Sequence, residues 1–94
     1  LPREFALHSN YPNPFNSSTT IRFDIPVETH VTIEIFDLLG RKVGTLMDGN
    51  KLPGFYELLW YGKDKNGKIL PSGVYFYAIT TGQFHRLHKM LLVK

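Results

Sequence analysis

The chain has 94 residues, a net charge of +3, 43% hydrophobic and 14% aromatic residues, and no cysteine. That is one small globular domain with a modest core, without a disulfide framework or a thiolate metal site and without an apolar run long enough to span a membrane. The charge is uneven: residues 1–60 carry five Lys/Arg against seven Asp/Glu, and residues 61–94 carry six against one. Lys63, Lys65 and Lys68 nevertheless surround a turn, and Arg86, Lys89 and Lys94 are spread along a strand, so no clustered basic face for nucleic acid is expected.

The Leu-Pro opening reads as the start of a fragment cut from a longer protein, with residues 1–6 as the end of a linker and residues 7–94 as the domain. A short extended run covers Phe5–Ser9. "NYPNPFN" at 10–16 follows. Pro12 and Pro14 each fix their own φ and bias Tyr11 and Asn13 toward extended geometry, and asparagine suits the turns between them. The segment is stiff before folding. Tyr11 and Phe15 are expected as two plugs closing one end of the domain between the first two strands.

"TTIRFDIP" alternates, with Ile21, Phe23 and Ile25 on one side, and "HVTIEIFD" repeats this with Val31, Ile33 and Ile35. In "FDLLGRKVGTLM" Gly40 and Gly44 break any helical stripe; a turn and a short strand, Lys42–Met47, are expected, then a turn at Asp48-Gly49-Asn50. "GFYELLWYG" puts Tyr56, Leu58 and Trp60 inward. In "DKNGK" at 64–68, Asn66-Gly67 reads as a tight hairpin turn rather than part of a calcium loop, since the further ligands and the distal Glu are missing. "GVYFYAITTG" and "QFHRLHKMLLVK" are the last two extended runs. Seven short strands with one central tryptophan predict an all-β, immunoglobulin-like (fibronectin III-like) antiparallel sandwich. Tyr75, just past the "LPSG" turn at the start of the sixth strand, fits a tyrosine corner.

No catalytic constellation can be assembled from these residues, and no cofactor motif is present. His85 and His88 lie three apart on a strand and point to opposite faces; His8 and His30 have no ligand-spaced partner. "NSS" at 16–18 matches a glycosylation acceptor, relevant only in a eukaryotic secretory setting. On the outer surface, Phe36 and Phe76 are expected as neighbours across paired strands, a patch suited to docking. Phe55, Leu59 and Tyr61 share another outer face.

"NYPNPFNSSTTIRFDIP", "VTIEIFDLLGRKVGTL", "GFYELLWYGKDKNGKILPSGVYFY" and the terminal "KMLLVK" together resemble the type A C-terminal sorting domain of the type IX secretion system, over about residues 7–94. That family is similar to the immunoglobulin-like domain of the flagellar hook-capping protein. The resemblance implies a non-catalytic C-terminal delivery and cell-surface attachment signal. Its partners would be translocon or sortase components and an upstream cargo domain, often a hydrolase. It would pass through the periplasm to the cell surface or the extracellular space. The family's recognition elements carry over to Gly40, Gly73 and the last strand: Lys89, Met90, Leu91, Leu92, Val93 and Lys94. Where family members commonly carry "WDG", this chain has Tyr61 in "WYG". The rival readings are a hook-capping-type structural domain, in which chain would continue past Lys94, and a spacer or carbohydrate-binding module using Phe55 and Tyr61.

Overall fold

The computed structural model describes residues 1–94, and it is built of strands alone. They are β1 (Ala6–Leu7), β2 (Thr19–Ile25), β3 (Thr29–Asp37), β4 (Lys42–Lys51), β5 (Gly54–Trp60), β6 (Gly73–Thr80) and β7 (His85–Leu92). Two antiparallel sheets, ordered β1-β2-β5 and β4-β3-β6-β7, make an immunoglobulin-like sandwich.

Alternation explains the core. Ile21, Phe23 and Ile25 of the small sheet face Val31, Ile33, Ile35, Tyr77 and Ile79 of the large one, and all are fully buried. Met90 and Leu92 extend that layer from β7, while Trp60 closes it from β5. Aromatic rings fill one end: Trp60 lies 5.7 Å from both Phe15 and Tyr75, tilted or edge-on. The Tyr75 hydroxyl donates to the Pro71 carbonyl at 2.7 Å, so the tyrosine corner expected from chain position is present.

Two elements differ from expectation. β4 does not stop at Met47 but continues to Lys51, because Asp48, Gly49 and Asn50 pair with Thr32, Val31 and His30 of β3. Their composition is that of a turn. Pairing with a buried neighbour strand overrides it, and the reversal falls instead at Leu52-Pro53. The first strand, conversely, is only two residues long, but packing begins ahead of it: Phe5 stacks on Phe84 at 5.2 Å, and Arg86 lies over the Phe84 ring at 4.8 Å.

The register defines two poles. Asp37 pairs with Tyr75, Gly73 with Leu92 and Thr19 with Trp60, so the 10–18 loop, the β3–β4 turn, the 61–72 segment and the chain end share one pole. The N-terminal segment and the β6–β7 turn occupy the other.

Candidate interaction surfaces on the terminal strand and its pole

β7 is an edge strand, but it is not open along its length. The Phe15 N–H donates to the Leu91 carbonyl at 3.0 Å and the Val93 N–H donates to the Phe15 carbonyl at 2.9 Å, a parallel bridge with Leu92 between them. Asn13 Oδ1 accepts from the Leu91 N–H at 3.0 Å, and the Asn16 amide donates to the Val93 carbonyl at 3.2 Å. The proline loop is thus a short intramolecular strand laid on the last one. Antiparallel pairing with β6 runs without a bulge, so the amides of Leu87 and Lys89 point the same way as that of Leu91. No hydrogen bond reaches either of them. The readable edge of β7 is therefore its middle.

Side chains of the six terminal residues divide by face. Met90 and Leu92 are buried in the core, whereas Lys89, Leu91, Val93 and Lys94 are exposed. The Lys94 N–H donates to Ser72 Oγ at 2.8 Å, which ties the last strand to the segment ahead of Gly73. Gly73 opens β6 opposite Leu92.

The loop's plugs are not both plugs. Phe15 is buried, but Tyr11 is 72% exposed. Tyr11 exchanges both backbone hydrogen bonds with Thr20, at 3.0 and 2.8 Å, and this extended pairing turns its side chain outward. Asn10 takes the interior place. Its amide donates to Thr19 Oγ1 at 3.0 Å and to the Pro12 carbonyl at 3.3 Å, and Thr19 Oγ1 donates to the same carbonyl at 2.8 Å. Both X-Pro bonds of the loop, before Pro12 and Pro14, are cis. No property of a single asparagine in an Asn-rich run marks it as the buried one, so Asn10 was not visible in the sequence.

Gly62 was missed for a different reason. It has φ of +68°, and a Cβ there would meet Leu92 Cδ2 at 3.2 Å. The signal was available in "WYG", whose glycine lies where the chain leaves β5.

Gly40 belongs to a turn that occurs twice. In Asp37-Leu38-Leu39-Gly40-Arg41 the aspartate Oδ1 accepts from the N–H of Leu39 at 3.0 Å and of Arg41 at 2.9 Å. In Asp64-Lys65-Asn66-Gly67-Lys68 it accepts from Asn66 and Lys68, both at 2.9 Å. The glycines match too, with φ of 83° and 81°. The Arg41 backbone N–H, joined by its guanidinium 2.8 Å from Oδ2 and by the Leu39 N–H, holds the Asp37 carboxyl below its ordinary value. A turn is present where Asn66-Gly67 was expected to make one, but it spans 64–68, with the Asp64 N–H donating to the Lys68 carbonyl at 2.9 Å and positive φ at Gly67 and not at Asn66. Asp64 Oδ1 is already engaged by backbone.

On the outer face of the large sheet, Phe36 pairs directly with Phe76, and both are half-buried. Lys42 lies beyond Phe36, and Lys89 lies beyond Phe76. Val74, Leu87 and Leu91 continue the apolar row on β6 and β7. On the small sheet, Phe55, Leu59 and Tyr61 are exposed, but Phe55 and Tyr61 are six positions apart, roughly 20 Å of strand. That spacing does not make one small sugar platform. The histidines are structural neighbours of other groups: His8 lies 3.0 Å from Asp24, His30 2.7 Å from Asp48, His85 3.0 Å from Thr80 Oγ1, and His88 stacks on Tyr77.

Comparison with known proteins bears on this arrangement. The family model described as the secretion system C-terminal sorting domain matches residues 9–52, a span that runs from the proline loop through β4. Among solved structures, dimeric latent PorU from Porphyromonas gingivalis aligns with a TM-score of 0.75 at 24% identity, covering 93% of this chain and 9% of PorU. PorZ, a surface component of the type-IX secretion system of the same organism, aligns at 0.64 and 20% identity over 94% of this chain and 11% of PorZ. FlgD from P. aeruginosa aligns at 0.61 and 20% identity over 84% of this chain and 67% of that chain. This chain therefore spans about a tenth of the length of PorU and of PorZ. No curated protein matches significantly. The resemblance carried by the sequence motifs thus agrees with the matching family model, and the structural neighbours share the fold.

Proposed function

We propose that this domain is a C-terminal sorting signal for secretion, carried by a larger exported protein and read as a folded sandwich. The match of the sorting-domain model to residues 9–52 supports this most directly, because that span contains the loop that shapes the edge of β7. The partners in this reading are type IX translocon or sortase components and an upstream cargo domain. The route is through the periplasm to the cell surface or the medium, with attachment there. The domain acts by recognition rather than catalysis.

The candidate contact groups are the middle of the β7 edge, Lys89 and Leu91 beside it, the Gly40 and Gly73 turns, and the Phe36/Phe76 face. A partner strand added at Leu87–Lys89 would gain main-chain hydrogen bonds, and the exposed alternate side chains would supply selectivity. A reporter with residues 1–94 at its C-terminus, expressed in a bacterium with a working type IX system, tests the reading. Surface signal that is lost on Lys89→Glu with Leu91→Thr, in a domain that still unfolds cooperatively, is the expected result. A folded domain that never exports its reporter would favour a hook-capping-type structural role, the reading to which the FlgD likeness lends weight.

A further inference from the structure

The two Asp-anchored turns form an internal comparison. Their backbone contacts and glycine φ values are the same, yet the middle positions hold Lys65-Asn66 in one and Leu38-Leu39 in the other. The second turn shows that this geometry does not require leucine. Leu38 is 66% exposed and Leu39 77% exposed, and they border an open cleft whose other walls include Leu70, Pro71 and Val74. The turn geometry thus leaves both leucines largely in solvent at the pole. Tyr61, Ile69 and Val93 are also exposed there.

Arg41 borders the same cleft as the leucines, Lys63 and Lys94 stand beside Tyr61 and Ile69, and Lys42 follows Arg41 at the start of β4. Lys65 and Lys68 belong to the second turn, whose Lys65 N–H donates to the Val43 carbonyl at 2.9 Å. The carboxylates of this pole are occupied: Asp37 holds its own turn and Arg41, Asp64 holds its own turn, and Glu34 pairs with Lys42 at 3.2 Å. Lys63, Lys65, Lys68 and Lys94 make no ion pair. The opposite pole carries Glu4, Glu28 and Asp48 beside Arg3, Lys51 and Arg86, an even balance, so the excess of positive charge lies at the leucine pole.

We propose that this pole docks on the anionic surface of a lipid bilayer, with Leu38 and Leu39 entering the headgroup–acyl boundary and the lysines resting on lipid phosphates. Apolar insertion and a basic patch are each weak anchors, and the two together hold. Long lysine stems suit this place, since their ammonium groups stay at the polar level while the leucines go deeper. A protein partner of ordinary size needs a face of roughly 800 Å², more than this turn alone provides, whereas a bilayer can be met by one inserted tip with cations around it. This inference does not rest on the sorting reading, and its test involves no secretion machinery.

The experiment is sedimentation of the 94-residue chain with vesicles of phosphatidylcholine plus phosphatidylglycerol, and with phosphatidylcholine alone, at low and high salt. Binding to the anionic vesicles, weakened by salt and by omission of phosphatidylglycerol, is expected. Leu38→Gln with Leu39→Asn removes the apolar tips at unchanged charge; it should leave thermal unfolding unchanged and lower vesicle binding by roughly tenfold or more. Lys63→Gln, Lys65→Gln and Lys68→Gln together should remove the dependence on phosphatidylglycerol. Absence of binding to anionic vesicles at low salt overturns the proposal. So does full binding by the leucine variant, which would reduce the contact to charge alone. Loss of reporter export by that variant, with no vesicle binding by the parent chain, also overturns it and assigns the leucines to a protein groove.

Discussion

Phe15 and Leu92 lie side by side in a parallel bridge, with the backbone of Phe15 hydrogen bonded to the residues on either side of Leu92. This relationship gives the stiff proline-asparagine loop its purpose. A strand edge left bare frays or pairs with another molecule. Here a segment restricted before folding covers it at a reduced entropic cost. The ring of Phe15 simultaneously enters the core against Trp60. One residue thus couples the loop, the last strand and the aromatic end of the sandwich.

Phe15→Ala should accordingly lower unfolding free energy by about 3–5 kcal/mol, the usual cost of removing a buried phenyl ring. Urea denaturation measures it. A loss under about 1 kcal/mol would mean that the loop only rests on the body. Deleting Lys89–Lys94 should abolish cooperative unfolding altogether, because Met90 and Leu92 leave the core with it. Export assays on that truncation would then report folding rather than recognition.

Two glycines with nearly equal φ allow crowding to be separated from backbone strain. Gly62 has φ of +68°, and Leu92 Cδ2 lies 3.2 Å from the place a Cβ would take, whereas Gly67 has φ of +81° and faces open space. Gly67→Ala should cost about 1 kcal/mol, from the left-handed conformation alone. Gly62→Ala carries that strain plus overpacking, about 2–4 kcal/mol in total. Equal losses in thermal unfolding would show that Leu92 moves aside freely.

The tyrosine corner is tested by Tyr75→Phe. The hydroxyl's bond to the Pro71 carbonyl should be worth roughly 0.5–1.5 kcal/mol, read as a fall in urea midpoint with no change in slope. An unchanged midpoint would leave the 61–72 segment held by its other contacts, such as the Trp60 indole N–H donating to the Lys63 carbonyl at 3.1 Å.

Legibility in the sequence followed the physics of each feature. The inward sets on β2, β3 and β5 were readable because one buried face imposes a period of two. Tyr75 was readable because the corner depends on position relative to a turn and a strand start. The length of β4 was not, since Asp48-Gly49-Asn50 becomes strand only through pairing with β3. The orientation of Tyr11 depended on a bridge to Thr20, and the closure of the β7 edge depended on contacts between Asn13, Phe15 and residues near position 92. Such long-range pairing has no local periodicity. The repeated turn was open to view as Asp-x-x-Gly followed by a basic residue, at 37–41 and 64–68, and it shows only when the two stretches are set side by side.

Acid should act on the first of those turns. The folded-state pKa of Asp37 is depressed by the Arg41 backbone N–H and guanidinium. The stability it contributes is therefore present above its unfolded value of 3.8 and is lost as pH falls through the lower folded value. Asp37→Asn should flatten the acid limb of a stability-versus-pH curve below pH 3.8, while leaving the neutral region displaced but parallel. An acid limb identical in the variant would assign acid sensitivity to other carboxylates.

Alkali should act on Tyr77. Its hydroxyl donates to the His8 carbonyl at 2.6 Å, joining β6 to the strand-like start of the chain. Burial pushes its pKa up from 10.0 to about 12, against a hydrogen bond from the Asn10 backbone that lowers it. A raised folded-state pKa means that the stabilisation is complete below the unfolded value and is lost as pH rises through the folded one. Between pH 10 and pH 12 the unfolded chain ionises this tyrosine and the folded chain resists, so up to about 2–3 kcal/mol of stability should disappear. Burial raises the Tyr75 hydroxyl as well, so the informative quantity is the difference in unfolding free energy between the parent chain and Tyr77→Phe. That difference should favour the parent by roughly 0.5–1.5 kcal/mol at neutral pH and shrink or reverse across the alkaline window. A difference that stays constant with pH would mean that the Tyr77 hydroxyl reaches solvent, and that the junction of His8 with β6 opens before the sandwich does.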